Sequence, residues 1–203
     1  MFCYNEVMKK ISSFFKKAWQ IIKSVPWYGW VFAVVIMGLQ YGLYRLAPVI
    51  ANATGSVNWA YSPKVTFDDM IPLLPPFVLF YVLSYALWVL SPVIISFTKK
   101  SNFINFVIGI SSACIISFII YIVAPSYMDR AAEGLIDIGE KGGFFNKFLQ
   151  LIYDSDNGNM AYNLLPSLHC ALSLYCYLGI HRQKEIPLAL RISILVIVIL
   201  IVL

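Results

Sequence analysis

The chain has 203 residues, 60% of them hydrophobic and 12% charged, with a mean hydropathy of +0.77. Soluble domains carry about half apolar and about a quarter charged residues, so this composition excludes one, and it equally excludes a disordered chain, which needs low hydrophobicity. Four cysteines are too sparse for a disulfide scaffold, and in so apolar a chain the net charge of +5 fits anionic lipid headgroups and not nucleic acid.

Residues 1–26 form a segment of their own. On a wheel of about 100° per residue, Ile11, Phe14, Phe15, Ala18, Trp19, Ile21 and Ile22 fall on one side, opposite Lys9, Lys10, Lys16, Lys17, Lys23, Ser12, Ser13 and Gln20. This separation predicts an amphipathic helix lying in the cytoplasmic interface, not a cleavable signal, because no small-residue cleavage site follows. Residues 27–203 form the membrane domain. Apolar runs predict spans at 27–46, 71–97, 103–124, 164–180 and 186–203. Pro72, Pro75 and Pro76 open the second span, Pro125 closes the third, and Pro166 falls in the first turn of the fourth, where proline is tolerated. Beyond Arg191 only 12 residues remain; as a helix they cover about 18 Å of a hydrocarbon core of about 30 Å, so the fifth span is expected to be unfinished at Leu203. The expected fold is an all-α, polytopic transmembrane bundle.

Charge orients these spans. The N-terminal segment, the loop with Lys99 and Lys100, and the loop region with Arg182, Lys184 and Arg191 hold ten of the fifteen basic residues and only two acids, Glu6 and Glu185. Basic residues are retained on the cytoplasmic side, so the expected topology is multi-pass with the N-terminus cytoplasmic. Residues 142–153, with Phe144, Phe145, Phe148, Leu149 and Ile152, predict a short helix on the outer interface.

Smaller motifs carry less. Cys3, Cys114, Cys170 and Cys176 have no metal-ligand spacing and read as small apolar residues, and two histidines, His169 and His181, cannot make a histidine-rich metal site. The run Asp154-Ser155-Asp156-Asn157-Gly158 departs from a calcium loop, with its glycine one place early and Leu165 where the bidentate glutamate belongs, so it reads as an acidic loop. Asn52-Ala53-Thr54 is a formal glycosylation acceptor beside the first span. No internal repeat of the kind transporters use is present.

Polar residues near membrane depth are functional candidates. Two groups stand on the outer side: Pro125-Ser126-Tyr127-Met128-Asp129-Arg130 after the third span, and Asn163-Leu164-Leu165-Pro166-Ser167-Leu168-His169 opening the fourth. A helix start offers unpaired N–H groups and the positive end of the macrodipole, Ser167 adds a hydroxyl, and Arg130 offers a planar cation, which together suit phosphate. His169 can give a proton to a leaving oxygen. Singly, each residue has a plainer reading: Ser167 as a helix cap, His169 as an interfacial aromatic, Arg130 as part of a solvated loop.

Pro166-Ser167-Leu168-His169, followed by Cys170-Ala171-Leu172-Ser173, resembles the central Pro-Ser-x-His motif of the type-2 phosphatidic acid phosphatase superfamily. Asn163-Leu164-Leu165 and the upstream Pro125-Ser126-x-x-x-Arg130 are most similar to its inositol-phosphotransferase-related branch, and the resemblance runs from about residue 70 onward. It implies a lipid phosphatase or phosphotransferase that acts on phosphate esters of lipids at the outer face through a phosphohistidine, without a cofactor or metal. In that scheme His169 protonates the leaving alcohol, Ser167 binds phosphate and Arg130 neutralises it. Val123 and Ala131 stand where the family's first motif has lysine and proline. The third motif, with the nucleophilic histidine and its aspartate, is not found, so the nucleophile segment is expected to lie outside residues 1–203 and the chain by itself to turn over little. The competing reading is a non-catalytic membrane protein that keeps a headgroup-binding half-site.

Overall fold

A computed structural model describes residues 2–156 and 160–202. Its helices are α1 (Phe2–Ser24), α2 (Trp27–Thr54), α3 (Val78–Ser96), α4 (Lys100–Val123), α5 (Phe144–Ser155), α6 (Leu168–His181) and α7 (Leu188–Val202). The side chains of Lys9, Lys10, Ile11, Phe14 and Ala18, together with Asn157, Gly158 and Leu203, lie outside the described residues. Within α1, Phe15, Trp19, Ile21 and Ile22 are exposed apolar side chains.

Three segments, Trp27–Thr54, Pro75–Ser96 and Lys100–Val123, are long and apolar enough to cross a membrane. With 14 and 15 residues, α6 and α7 are shorter, and at 1.5 Å per residue they reach about 21 and 22 Å against a core of about 30 Å. Large aliphatic side chains such as Val34, Ile108, Ile116 and Ile119 point outward, the pattern of helices whose solvent is hydrocarbon.

α3 is the central helix and packs on α2, α4, α6 and α7. Trp88, Ile95, Ile110, Leu172, Cys176 and Ile180 fill the interior between these helices. A stripe of serines also faces inward on α3. Ser84, Ser91 and Ser96 are buried, and their hydroxyls donate back to the carbonyls of Tyr81, Leu87 and Val93, each at 2.6 Å, so none of these three hydroxyls is left unpaired. Glycine permits one close crossing: a β-carbon on Gly179 of α6 would stand 2.7 Å from Cδ2 of Phe106 on α4.

The helices alternate in direction, which sorts the loops to two ends. At one end Tyr28 donates to the carbonyl of Ser96 at 3.1 Å, and Asn102 donates to Gln183 at 2.6 Å. That joins the start of α2, the α3–α4 loop with Lys99 and Lys100, and the α6–α7 loop with Arg182 and Lys184. The opposite end holds the end of α2, the starts of α3 and α6, the end of α4, and α5.

Several element boundaries differ from those read in the sequence. α2 runs eight residues past the expected end at 46, because a proline inside a helix removes only one hydrogen bond and Pro48 is accommodated; Gly55, at φ 76°, then closes the helix by donating to Asn52. Asn52 itself is helical, and its amide donates to the carbonyl of Pro48 at 2.8 Å. The second span starts as a helix at Val78 after a 3₁₀ turn at Pro75–Phe77, not at Ile71, because the prolines withhold backbone donors there. The fourth helix starts at Leu168, not Leu164, which puts Pro166 outside its first turn, after a cis peptide bond from Leu165. The all-helical expectation also omits a pair of three-residue antiparallel strands, β1 (Tyr127–Asp129) and β2 (Met160–Tyr162).

Candidate functional site

The two polar groups singled out in the sequence meet at the end of the bundle opposite the basic loops. Residues just beyond α4 form the middle of a small backbone network. Tyr61 donates to the carbonyl of Pro125 at 3.1 Å, Tyr127 donates to that of Tyr61 at 3.0 Å, and β1 pairs with β2 on its other edge. Ser126 is wholly buried, and its hydroxyl oxygen accepts from the N–H groups of Leu164 at 3.0 Å and Leu165 at 2.9 Å, while its carbonyl accepts from Asn163 at 3.0 Å. The segment that enters α6 therefore hangs on Ser126. Tyr121 of α4 adds a second support by donating its hydroxyl to the carbonyl of Pro166.

Asn163 sits at φ 62°, in the left-handed region that asparagine tolerates better than most residues. Its side-chain amide donates to the carbonyl of Tyr44 at 2.9 Å. That carbonyl lies four residues before Pro48, which has no N–H to give it, so the proline in α2 leaves an acceptor that the α6 entrance uses.

Ser167 is the N-cap of α6, and its hydroxyl oxygen accepts from the N–H of Cys170 at 3.4 Å. The N–H groups of Leu168 and His169 fall in the first turn, ahead of any intrahelical acceptor. His169 is half-buried against one face of α3. Its ring stacks on Tyr81 with centroids 3.9 Å apart, meets Tyr85 edge-on at 5.3 Å, and lies 5.2 Å from Trp88. The Tyr85 hydroxyl is 3.2 Å from His169 Nε2. Trp88 in turn donates to Ser173, one turn beyond His169, at 3.2 Å.

Arg130 follows β1 directly and is buried, with 5% exposure. One guanidinium nitrogen donates to the carbonyls of Tyr153 at 3.2 Å and Asp156 at 2.9 Å, and the other forms an ion pair with the Asp156 carboxylate at 2.7 Å. The guanidinium also covers the ring of Tyr153 at 4.4 Å. Burial pushes the Tyr153 phenol above its usual range, and the nearby Arg130 charge works against that rise. The second oxygen of Asp156 accepts from the Tyr44 hydroxyl at 2.8 Å, which also reaches the carbonyl of Tyr162 at 3.1 Å.

Arg130 is thus linked to the α6 entrance through Asp156 and Tyr44, while Ser167 and His169 share the first turn of α6. The basic-loop histidine, His181, is far from this cluster and bonds to Tyr177 at 3.1 Å.

Sequence reasoning passed over Asp156, Tyr44, Tyr81 and Tyr85. Asp156 looked like one more loop acid. The tyrosines left a usable signal: Tyr81, Tyr85 and Trp88 fall on one face of an otherwise aliphatic helix, where polar-tipped aromatics imply a polar partner across the interface.

The arrangement offers a cation, a serine hydroxyl, two first-turn N–H groups and an imidazole at one end of an apolar bundle. Comparison with known proteins gives the same direction. No curated protein and no solved structure matches the chain. A sequence profile described as the PAP2 superfamily, that of the type-2 phosphatidic acid phosphatases, matches residues 56–203, beginning earlier than the motifs alone indicated and covering well over half of the chain. The chain belongs to the PAP2 superfamily.

Proposed function

We propose that this protein spans the membrane several times and binds the phosphate of a lipid phosphate ester at the end of the bundle that carries Ser167. The N-terminus and the basic loops face the cytoplasm in this reading, and the site opens at the outer face. α1 lies in the inner interface and α5 in the outer one. The substrate class is a phosphorylated lipid, and the chemistry is phosphoryl release or transfer, as in the inositol-phosphotransferase-related branch.

The observation that carries the reading is the start of α6, where Ser167 and His169 sit in one helical turn beside two N–H groups directed out of the helix. Phosphate oxygens would be held by those groups and by Ser167, with Arg130 as the neutralising cation. Arg130 reaches a phosphate by exchanging its contact with one carboxylate oxygen of Asp156 for a phosphate oxygen. His169 supplies the proton to the departing alcohol oxygen.

A phosphohistidine scheme needs a second histidine as nucleophile. His181 lies at the other end of α6, twelve residues from His169, or about 18 Å along the helix. Residues 1–203 in this reading provide the binding and leaving-group half of the reaction. The test is a pair of measurements on purified protein in lipid nanodiscs: binding of inorganic phosphate, and phosphate release from a lipid phosphate. Binding that depends on Ser167 and Arg130, with negligible release by residues 1–203 alone, is the expected result. Full turnover by these residues would overturn the assignment of roles.

A further inference from the structure

We propose that Tyr85 is a positioning residue for His169: its hydroxyl holds Nε2 of the imidazole, so that Nδ1 is the nitrogen that faces phosphate and delivers the proton. This rests on the phosphate-binding reading above and adds to it a residue and a ring orientation.

The geometry is specific. Tyr85 and Nε2 are 3.2 Å apart. Among the described residues Nδ1 has no hydrogen-bond partner, and it is not sealed away as a buried unpaired atom. The ring cannot turn freely, because Tyr81 stacks on one face at 3.9 Å and Trp88 closes in at 5.2 Å. Trp88 is itself fixed to Ser173 of α6, so α3 and α6 hold the box together from both sides.

A hydrogen bond at one imidazole nitrogen sets what the other can do. When the ring is protonated, Nε2–H donates to the Tyr85 oxygen and Nδ1–H points to the ligand. In the transfer step the Nδ1–H bond breaks, an O–H bond forms on the leaving alcohol, and the electron pair of the broken bond stays on Nδ1. The neutral ring that remains keeps its proton on Nε2, still bonded to Tyr85, and nothing has to rotate. A phenol suits this position because it accepts from the protonated ring and carries no charge of its own at neutral pH.

The test uses the full chain in nanodiscs, 15N-labelled at histidine, with inorganic phosphate as the probe. His181 and Tyr177 form a similar tyrosine–histidine pair at the other end of α6, at 3.1 Å, and provide the matched control. Phosphate should move the Nδ1 resonance of His169 more than Nε2. Tyr85→Phe should move the Nε2 resonance, mix the two tautomers and weaken phosphate binding about five-fold, the weight of one hydrogen bond. Tyr177→Phe should shift only His181. A His169 Nε2 resonance unchanged by Tyr85→Phe, or a phosphate response centred on Nε2, overturns the inference while phosphate binding itself stands. If Tyr85→Phe does not fold, the wild-type titration alone decides between Nδ1 and Nε2. Silence of both nitrogens toward phosphate in the wild type removes the phosphate reading and the role of Tyr85 with it.

Discussion

Pro48 and Asn163 are linked through one carbonyl: the proline denies the Tyr44 oxygen its helical partner, and the Asn163 amide takes the place at 2.9 Å. A residue in the first helix of the bundle thereby fixes the backbone that leads into α6. Asn163 meets two demands at once, a left-handed backbone and a side-chain donor. Replacing it by glycine removes only the donor, and by alanine removes the donor and strains the backbone as well. Asn163→Gly is expected to lose about 1 kcal/mol, and Asn163→Ala about 1–2 kcal/mol more. Thermal unfolding in detergent measures the difference.

Two serines near the site should separate in the same assay. Ser126 is wholly buried and satisfies two backbone N–H groups. Ser126→Ala leaves both unpaired and is expected to cost about 3 kcal/mol. Ser167 is half-buried and caps one helix through a single 3.4 Å contact. Ser167→Ala should cost about 1 kcal/mol or less. Ser167→Asp keeps a capping oxygen, so it should restore stability and yet weaken phosphate binding by like-charge repulsion.

Asp156 should move stability and affinity in opposite directions. Its side chain is 21% exposed and that of Arg130 6%, so the pair is largely shielded from solvent. Asp156→Asn is expected to destabilise the fold by about 3 kcal/mol, as breaking a buried pair does. The same change removes the carboxylate that competes for Arg130, so phosphate should bind more tightly to the variant. Parallel unfolding and phosphate titrations check both signs. A drop in both would make Asp156 a support of the site and not a competitor.

Orientation is open to a labelling test in intact cells or sealed vesicles, with cysteines introduced at Lys99 and at Phe67 and the native cysteines replaced. Phe67 is exposed in the segment before α3, at the site end, and Lys99 lies in the opposite loop. A membrane-impermeant maleimide applied from outside should modify the cysteine at 67 and spare the one at 99. The reverse pattern would invert the topology.

The long helices were legible because their signal is additive. Long apolar runs in α2, α3 and α4 outweigh any single proline, though Pro48 and the prolines before Val78 moved the boundaries. The start of α6 was legible too, because Pro166, Ser167 and His169 stand together in the sequence. The small sheet was not, since three-residue strands carry no measurable alternation. Nor were the contacts that complete the site: Tyr44 and Asn163 are 119 residues apart, and His169 and Tyr85 are 84 apart. Only packing identifies such pairs, and composition had placed Asp156 among solvated loop acids when its carboxylate in fact holds Arg130.

Phosphate is expected to bind at the end of the bundle that holds Arg130 and the start of α6. The direct measurement is a titration of the protein in nanodiscs with inorganic phosphate, followed by calorimetry, for the wild type, Arg130→Gln and Ser167→Asp. Charge-assisted contacts weigh about 1.5–3 kcal/mol, so each substitution should weaken binding by about ten-fold or more. Saturable phosphate binding that is unchanged in both variants would contradict the account.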